Sequence, residues 1–413
     1  MDILDSNLGI TVNGRTKKEQ PLLVSGLVGL IVLGICSCTQ DDNVASNDSR
    51  YMSPNLDYEH SIAIQFISLV ENSISQGLVE GVQFSIIEDG ELLLAQGFGL
   101  ADRETNRPMT ADTPINVASL SKSFTAWGVL ALSEHNDIDL DSSINNYLNS
   151  YQLTSEDYAD ADVTIGMLLS HTSGLSTPSV PVTPVTEPIP ELTNILLGGS
   201  SVPRAEIERR PGSGYVYSGA GYLLLQKMIE DQTGSTFANY MTETVLEPSG
   251  MSNSAFSLSP DIVRRAAIYY RRDGRRREPY HLPGAAGALY TTANDMARFI
   301  ILYTDKGRLS RSQIIPENQF VTMLVPVTPV QISGVNVGTT RYALGHNTYE
   351  TPEGIKIVFH AGGNPGLRAL YIVALDGNDG FFAVVNDDRG AELLAEMMRI
   401  WGGYYSLTLH PYF

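Results

Sequence analysis

Ser119 and Lys122, three residues apart in Ser119-Leu120-Ser121-Lys122, are a pair whose types and spacing can do chemistry. Residues three apart on a helix share a face. An amine beside a hydroxyl can take its proton, provided it is neutral or hydrogen-bonded so as to accept one. Beyond the first forty residues the lysines are Lys122, Lys227, Lys306 and Lys356, and Lys122 alone has a serine three positions earlier. The plain alternative is a solvated lysine in a polar helical turn, and Ser-x-x-Lys is too short a pattern to decide.

Three later segments carry unusual residues. In the run from Pro211 to Tyr222, small residues surround Tyr217 and let other backbone approach closely. A tyrosine held near an amine can act as a base, or it can be a buried tyrosine with a satisfied hydroxyl. In Phe359-His360-Ala361-Gly362-Gly363, a strand ending in His-Ala-Gly-Gly can present backbone N–H groups to a developing oxyanion. His360 can orient a substrate or a catalytic hydroxyl, or be a hydrogen-bonded structural histidine. The run from Leu282 to Met296 reads as structural, a tight small-residue loop entering a helix capped near Thr292 or Asn294.

The elements that must position these residues are readable in outline. Ile62, Phe66, Val70 and Ile74 recur at helical spacing before Gly77. Val82 to Ile87 and Leu92 to Phe98 read as strands joined across Glu88-Asp89-Gly90. An extended piece, Pro114 to Ala118, leads into Ser119, and Phe124 to Leu132 continues as an apolar helix. Ser119 then sits where a strand turns into a helix, with its N–H among the unpaired donors of the helix start. The middle is helical and loop-rich: Val163 to Leu169 precedes His171-Thr172-Ser173-Gly174-Leu175, and helices follow over Gly221 to Thr233 and around Thr236 to Val245. The proline-dense stretch Pro178 to Pro190 cannot be regular helix or central strand and reads as a surface loop walling a site. Ile355 to Phe359, Ala369 to Leu375 and Phe381 to Asn386 read as strands, and Leu393 to Trp401 as a closing amphipathic helix. Sheet at both ends and helix between suggest an α/β sheet domain completed by both termini, with an inserted helical subdomain.

Composition narrows the function. The chain has 413 residues, 43% of them hydrophobic, and a net charge of -19, which argues against nucleic acid as a partner. The basic island Arg271 to Arg277 reads as a solvated loop. Cys36 and Cys38 are the two cysteines, so the rest of the chain holds no disulfide or thiolate metal site. Arg15, Lys17 and Lys18 before the apolar run Pro21 to Ile35 read as an export signal. Ile35-Cys36-Ser37-Cys38 resembles a bacterial lipobox with Cys38 as the lipidated residue. That implies an exported protein, periplasmic or tethered to a membrane, with an uncleaved signal anchor as the alternative. Residues 1–38 are then the leader, 39–58 a flexible linker and 59–413 the folded domain.

Taken together, Ser119-Leu120-Ser121-Lys122, the Tyr217-Ser218 segment with its Pro-Gly prefix, and His360-Ala361-Gly362 resemble the serine β-lactamase and penicillin-binding-protein-like hydrolases. His171-Thr172-Ser173-Gly174-Leu175 and Thr292 to Met296 look like further family segments, in the right order. The nearest branch holds class C β-lactamases, D-aminopeptidases and family VIII carboxylesterases. The resemblance implies an α/β (α+β) fold: an antiparallel sheet flanked by N- and C-terminal helices, with a mainly helical subdomain inserted over roughly 125–290. It implies Ser119 as nucleophile, Lys122 and Tyr217 sharing general-base work, and an oxyanion hole from the N–H groups of Ser119 and Gly363. It implies no metal and no organic cofactor.

Two departures bear on substrate. Many relatives have Tyr-x-Asn where this chain has Tyr217-Ser218-Gly219, and glycine offers no side chain to a peptide-like or lactam amide. The family's Lys-Thr-Gly is replaced by His360-Ala361-Gly362, and a histidine binds a carboxylate less strongly than lysine. Small-molecule carboxylic esters are the first expectation. D-amino-acid amides or peptides and β-lactams come second, and a weakly catalytic binding or sensor lipoprotein third. No Gly-x-Ser-x-Gly elbow and no His-Glu-x-x-His occurs, so neither an α/β-hydrolase turn nor a zinc hydrolase is supported.

Overall fold

Strands that are apolar on both faces need a cover on each, and the computed structural model shows both covers. It describes residues 61–405 apart from 136–137, 159–162, 176–179, 200–203, 310–311 and 333–334. The leader, Cys38 and the linker therefore lie outside the described residues. Among the described residues no helix is long and apolar enough to cross a membrane.

The early strands are β1 (Gly81–Glu88), β2 (Glu91–Asp102) and β3 (Arg107–Pro108). The late ones are β4 (Thr328–Ile332), β5 (Val335–Tyr342), β6 (Asn347–Glu350), β7 (Lys356–Asn364), β8 (Leu367–Ala374) and β9 (Asp379–Val385). They form one nine-stranded sheet in the order β4-β5-β6-β7-β8-β9-β1-β2-β3. All neighbours are antiparallel. The expected β1–β2 and β8–β9 hairpins are present, and β9 pairs with β1 to join the two ends of the chain.

Side chains alternate across the sheet with period two. Val82, Phe84 and Ile86 of β1, Leu370, Ile372 and Ala374 of β8, and Phe381, Ala383 and Val385 of β9 share one core. Ile62, Phe66 and Val70 of α1 (Ser61–Ser75) cover it, with Leu393, Leu394, Met397 and Trp401 of α5 (Gly390–Tyr404). Ala369, Tyr371 and Val373 of β8 and Phe382 and Val384 of β9 point the other way, into a second core. Helix α4 (Ala293–Thr304) lies on that face, its start capped where expected: the Thr292 hydroxyl accepts the Asp295 N–H at 3.2 Å.

Between β3 and β4 the described chain adds helices and two-residue strand pairs rather than sheet strands. Helix α2 (Ser121–His135) is surrounded on every side, and all residues from Leu120 to Ser133 are buried. Helix α3 (Gly219–Thr233) packs beside it. Within the proline-dense stretch, Thr183–Pro184 pairs with Tyr280–His281, while Ile189 and Pro190 help line a cavity of about 180 Å³. The basic island is tied down: Arg275 pairs with Asp273, and Arg276 with Glu104 and Glu278.

Strands β4 to β6 were not expected. They carry Thr, Asn, Gln, Pro329 and Gly338 in place of a continuous apolar run. Pro329 is tolerated because β4 is the sheet's edge, where one side of the strand needs no ladder bonds.

Candidate active site

The chain enters the site on two extended residues, Ile115–Asn116, paired with Tyr290–Thr291. The turn that follows is sharper than the expected strand-to-helix passage. Ala118 has a φ of +49°, and Ala118–Leu120 form a 3₁₀ turn before α2. Asn116 holds that turn: its Oδ1 accepts the Ala118 N–H at 2.9 Å, and its Nδ2 donates to the Gly287 carbonyl at 2.8 Å. Strand β7 presses on the same turn. A Cβ on Gly362 would lie 2.3 Å from the Val117 carbonyl oxygen and 3.3 Å from the Ser119 nitrogen, so a residue larger than glycine does not fit. Gly363, the next residue, is exposed.

Helical spacing then brings Lys122 Nζ within 3.2 Å of Ser119 Oγ. Ser119 is half-buried, whereas Lys122 is buried inside an apolar helix. A buried ammonium is unfavourable without partners. Lys122 has a second one, donating to the Ala286 carbonyl at 2.6 Å. Tyr217 arrives from 98 residues away, its hydroxyl 2.8 Å from Ser119 Oγ. Lys122 Nζ also lies 4.9 Å from the centre of the Tyr217 ring. One oxygen thus has an amine and a phenol in reach, and a proton can pass among the three. Gly219 is the buried first residue of α3, just after its cap Ser218.

His360 is buried beside this group, but both its nitrogens are taken. Nδ1 donates to the Ala361 carbonyl at 2.7 Å, so Nε2 accepts from the Tyr342 hydroxyl at 3.1 Å. Burial first, then the Lys122 charge, pushes its pKa down to about 3. His346 is also buried and pushed down to about 3, by burial and by His360.

These two histidines give an acid-stability prediction. In the unfolded chain they take protons near pH 6.5; in the fold they do so only near pH 3. Stability is therefore lost as pH falls below 6.5, by about 2 kcal/mol per histidine at pH 5. His346→Gln is expected to flatten the dependence of melting temperature on pH between 7 and 5. An equally steep loss in the variant would show that His346 takes a proton in the fold as readily as in the unfolded chain.

A serine on a sharp turn, a lysine one helical turn on and a tyrosine from a distant segment thus meet at one oxygen. The beta-lactamase family model matches residues 66–400. The chain belongs to the beta-lactamase family. Its members and structural neighbours are serine hydrolases. The chain is 27% identical over 333 residues to penicillin-binding protein 4* of Bacillus subtilis (strain 168), covering 74% of this chain and 68% of that one. It spans about two thirds of the length of the curated relatives it matches. The fold is similar to that of the D-amino acid amidase from Ochrobactrum anthropi SV3, with a TM-score of 0.68 at 20% identity over 84% of this chain and 98% of the amidase. It is also similar to EstCE1, a hydrolase with promiscuous acyltransferase activity, with a TM-score of 0.63 at 18% identity over 80% and 94%.

Two participants in this family site were not expected from the residues. The segment from Leu282 to Met296 reads as structural, yet its Ala286 carbonyl is the second partner of Lys122. Tyr342, which occupies His360, lies on one of the unexpected strands. Neither carries a local signal: a carbonyl is common to every residue type, and Tyr342 stands in no motif.

Proposed function

We propose that this chain hydrolyses small carboxylic esters that carry no anionic anchor group. Ser119 Oγ attacks the ester carbonyl carbon and gives its proton to the Lys122 and Tyr217 pair, which accepts it because one member is deprotonated, as a neutral amine or a phenolate. The backbone N–H groups of Ser119 and Gly363 receive the developing oxyanion. The tetrahedral intermediate collapses, the C–O bond to the alcohol breaks, and the pair protonates the departing oxygen. Water then attacks the acyl-Ser119 ester and gives a proton to the same pair; the acyl C–O bond breaks, the pair returns that proton to Ser119 Oγ, and the acid leaves.

The observation that carries the substrate reading is the state of His360. It is neutral, and its ring nitrogens face Ala361 and Tyr342, so it offers no cation to a carboxylate. Gly219 adds no side-chain amide donor or acceptor. A carboxylate-bearing lactam or a D-Ala-D-Ala terminus therefore lacks the anchor that an ester does not need. The test compares p-nitrophenyl butyrate, a cephalosporin chromophore and D-alanine p-nitroanilide on one preparation. The expected kcat/KM favours the ester over both others by ~100-fold or more. A preference for the cephalosporin or the D-alanine anilide would overturn the ester reading.

A further inference from the structure

Tyr217 precedes α3 and lies in no helix or strand itself. The chain is gripped there by His171. The His171 carbonyl accepts the Val216 N–H at 2.8 Å, and its Nδ1 accepts the Ser218 N–H at 3.1 Å. One residue thus holds the backbone on both sides of Tyr217. Its ring also lies against the Tyr217 ring, with centroids 4.3 Å apart and planes inclined by 42°.

Three details set this histidine apart from an ordinary core residue. It adopts a φ of +59°, a left-handed conformation that is costly for a non-glycine residue and persists only where the surroundings enforce it. Since Nδ1 receives a proton from Ser218, the ring's own proton sits on Nε2. Among the described residues that buried Nε2 has no hydrogen-bond partner, and it lies in a nest that includes the rings of Tyr342 and Tyr222 at 4.8 and 5.2 Å. A residue kept only for packing has no need of either cost. Burial, then the nearby Lys122 charge, also hold its pKa well below the usual histidine value, which keeps Nδ1 an acceptor.

We infer that His171 is a positioning residue for Tyr217, its carbonyl and Nδ1 fixing the backbone on either side so that the phenol oxygen stays 2.8 Å from Ser119 Oγ. This rests on Tyr217 being a proton carrier in the proposed reaction. It touches neither substrate nor the reacting oxygen, and it acts through the tyrosine.

Two variants and a cycle test it. Glycine and asparagine both tolerate the left-handed backbone, but only asparagine keeps a side-chain acceptor near the place of Nδ1. His171→Gly is expected to lower kcat on p-nitrophenyl butyrate by ~100-fold with KM within ~3-fold, and His171→Asn to regain ~10-fold of that loss. Adding Tyr217→Phe to His171→Gly is expected to cost nothing beyond Tyr217→Phe alone, because both remove the same service. Wild-type kcat in His171→Gly, equal loss in the glycine and asparagine variants, or multiplying losses in the double variant would each overturn the inference. A Tyr217→Phe enzyme with wild-type turnover would instead sink the role of Tyr217 itself. Slow Tyr217→Phe beside fast His171→Gly would sink the His171 inference alone. Should His171→Gly fail to fold, the double cycle on His171→Asn gives the same decision.

Discussion

Ser119→Ala is expected to abolish turnover of p-nitrophenyl butyrate, with kcat down by ~10⁴-fold or more, in a protein that melts where the wild type does. The activity loss follows from the chemistry: no other hydroxyl takes the place of Ser119 between Lys122 and Tyr217. The near-unchanged melting follows from the position and from the bond that Lys122 keeps to the Ala286 carbonyl. Ser119 is half-buried in a turn held by Asn116, Ser121 and the strand carrying Gly362, none of which bonds to the Ser119 side chain. A fluorophosphonate adduct seen by intact mass on the wild type and lost in the variant would place the covalent bond at this oxygen. Wild-type rates in Ser119→Ala would show that another residue is the nucleophile.

Lys122→Met is expected to slow the same reaction by ~10³-fold while the melting temperature holds. Methionine fills nearly the same space with no charge. The variant leaves the Ala286 carbonyl without its donor, a cost of about 1–3 kcal/mol. It also removes an ammonium taken out of water inside an apolar helix, and that penalty is several kcal/mol. The two effects oppose each other, so the melting temperature holds. A pre-steady-state burst of p-nitrophenol separates the two proton transfers, and the variant should lose the burst. Turnover within ~10-fold of wild type would mean that Tyr217 does the base work alone.

How much of this was legible depends on the range over which each feature is built. The Ser119–Lys122 contact is local and helical spacing offers it, but only the later segments set it apart from a solvated lysine. Tyr217 became visible through family resemblance, since 98 residues separate it from Ser119 and only the fold closes that gap. Strands β1, β8 and β9 were visible because both faces are buried and most positions are apolar. Strands β4 to β6 were not, because their polar residues break the apolar pattern, and β4, at the sheet's edge, also tolerates a proline. His360 was recognised by position but not by state. Its environment is made by Tyr342 and by burial, and neither can be read from the His-Ala-Gly-Gly run. The left-handed Ala118 and His171 were invisible for another reason: alanine and histidine seldom adopt that conformation, so nothing in their identity announces it.

The order of strands also sets a timetable for the newborn chain. Strand β1 lies in the sheet between β2 and β9, and Val82 is in register with Val385. The hairpin of β1 and β2 is thus made early, but its second neighbour emerges about 300 residues later. At a synthesis rate of ~5–20 residues per second the hairpin waits ~15–60 s with one hydrogen-bonding edge open and its apolar faces bare. Until the last strand and closing helix leave the ribosome there is no finished sheet for the catalytic turn to rest on. A chain cut short before β9 does not merely lose a border strand. It loses the seam, and the sheet falls into two pieces, one with the early hairpin and one with the strand that carries His360.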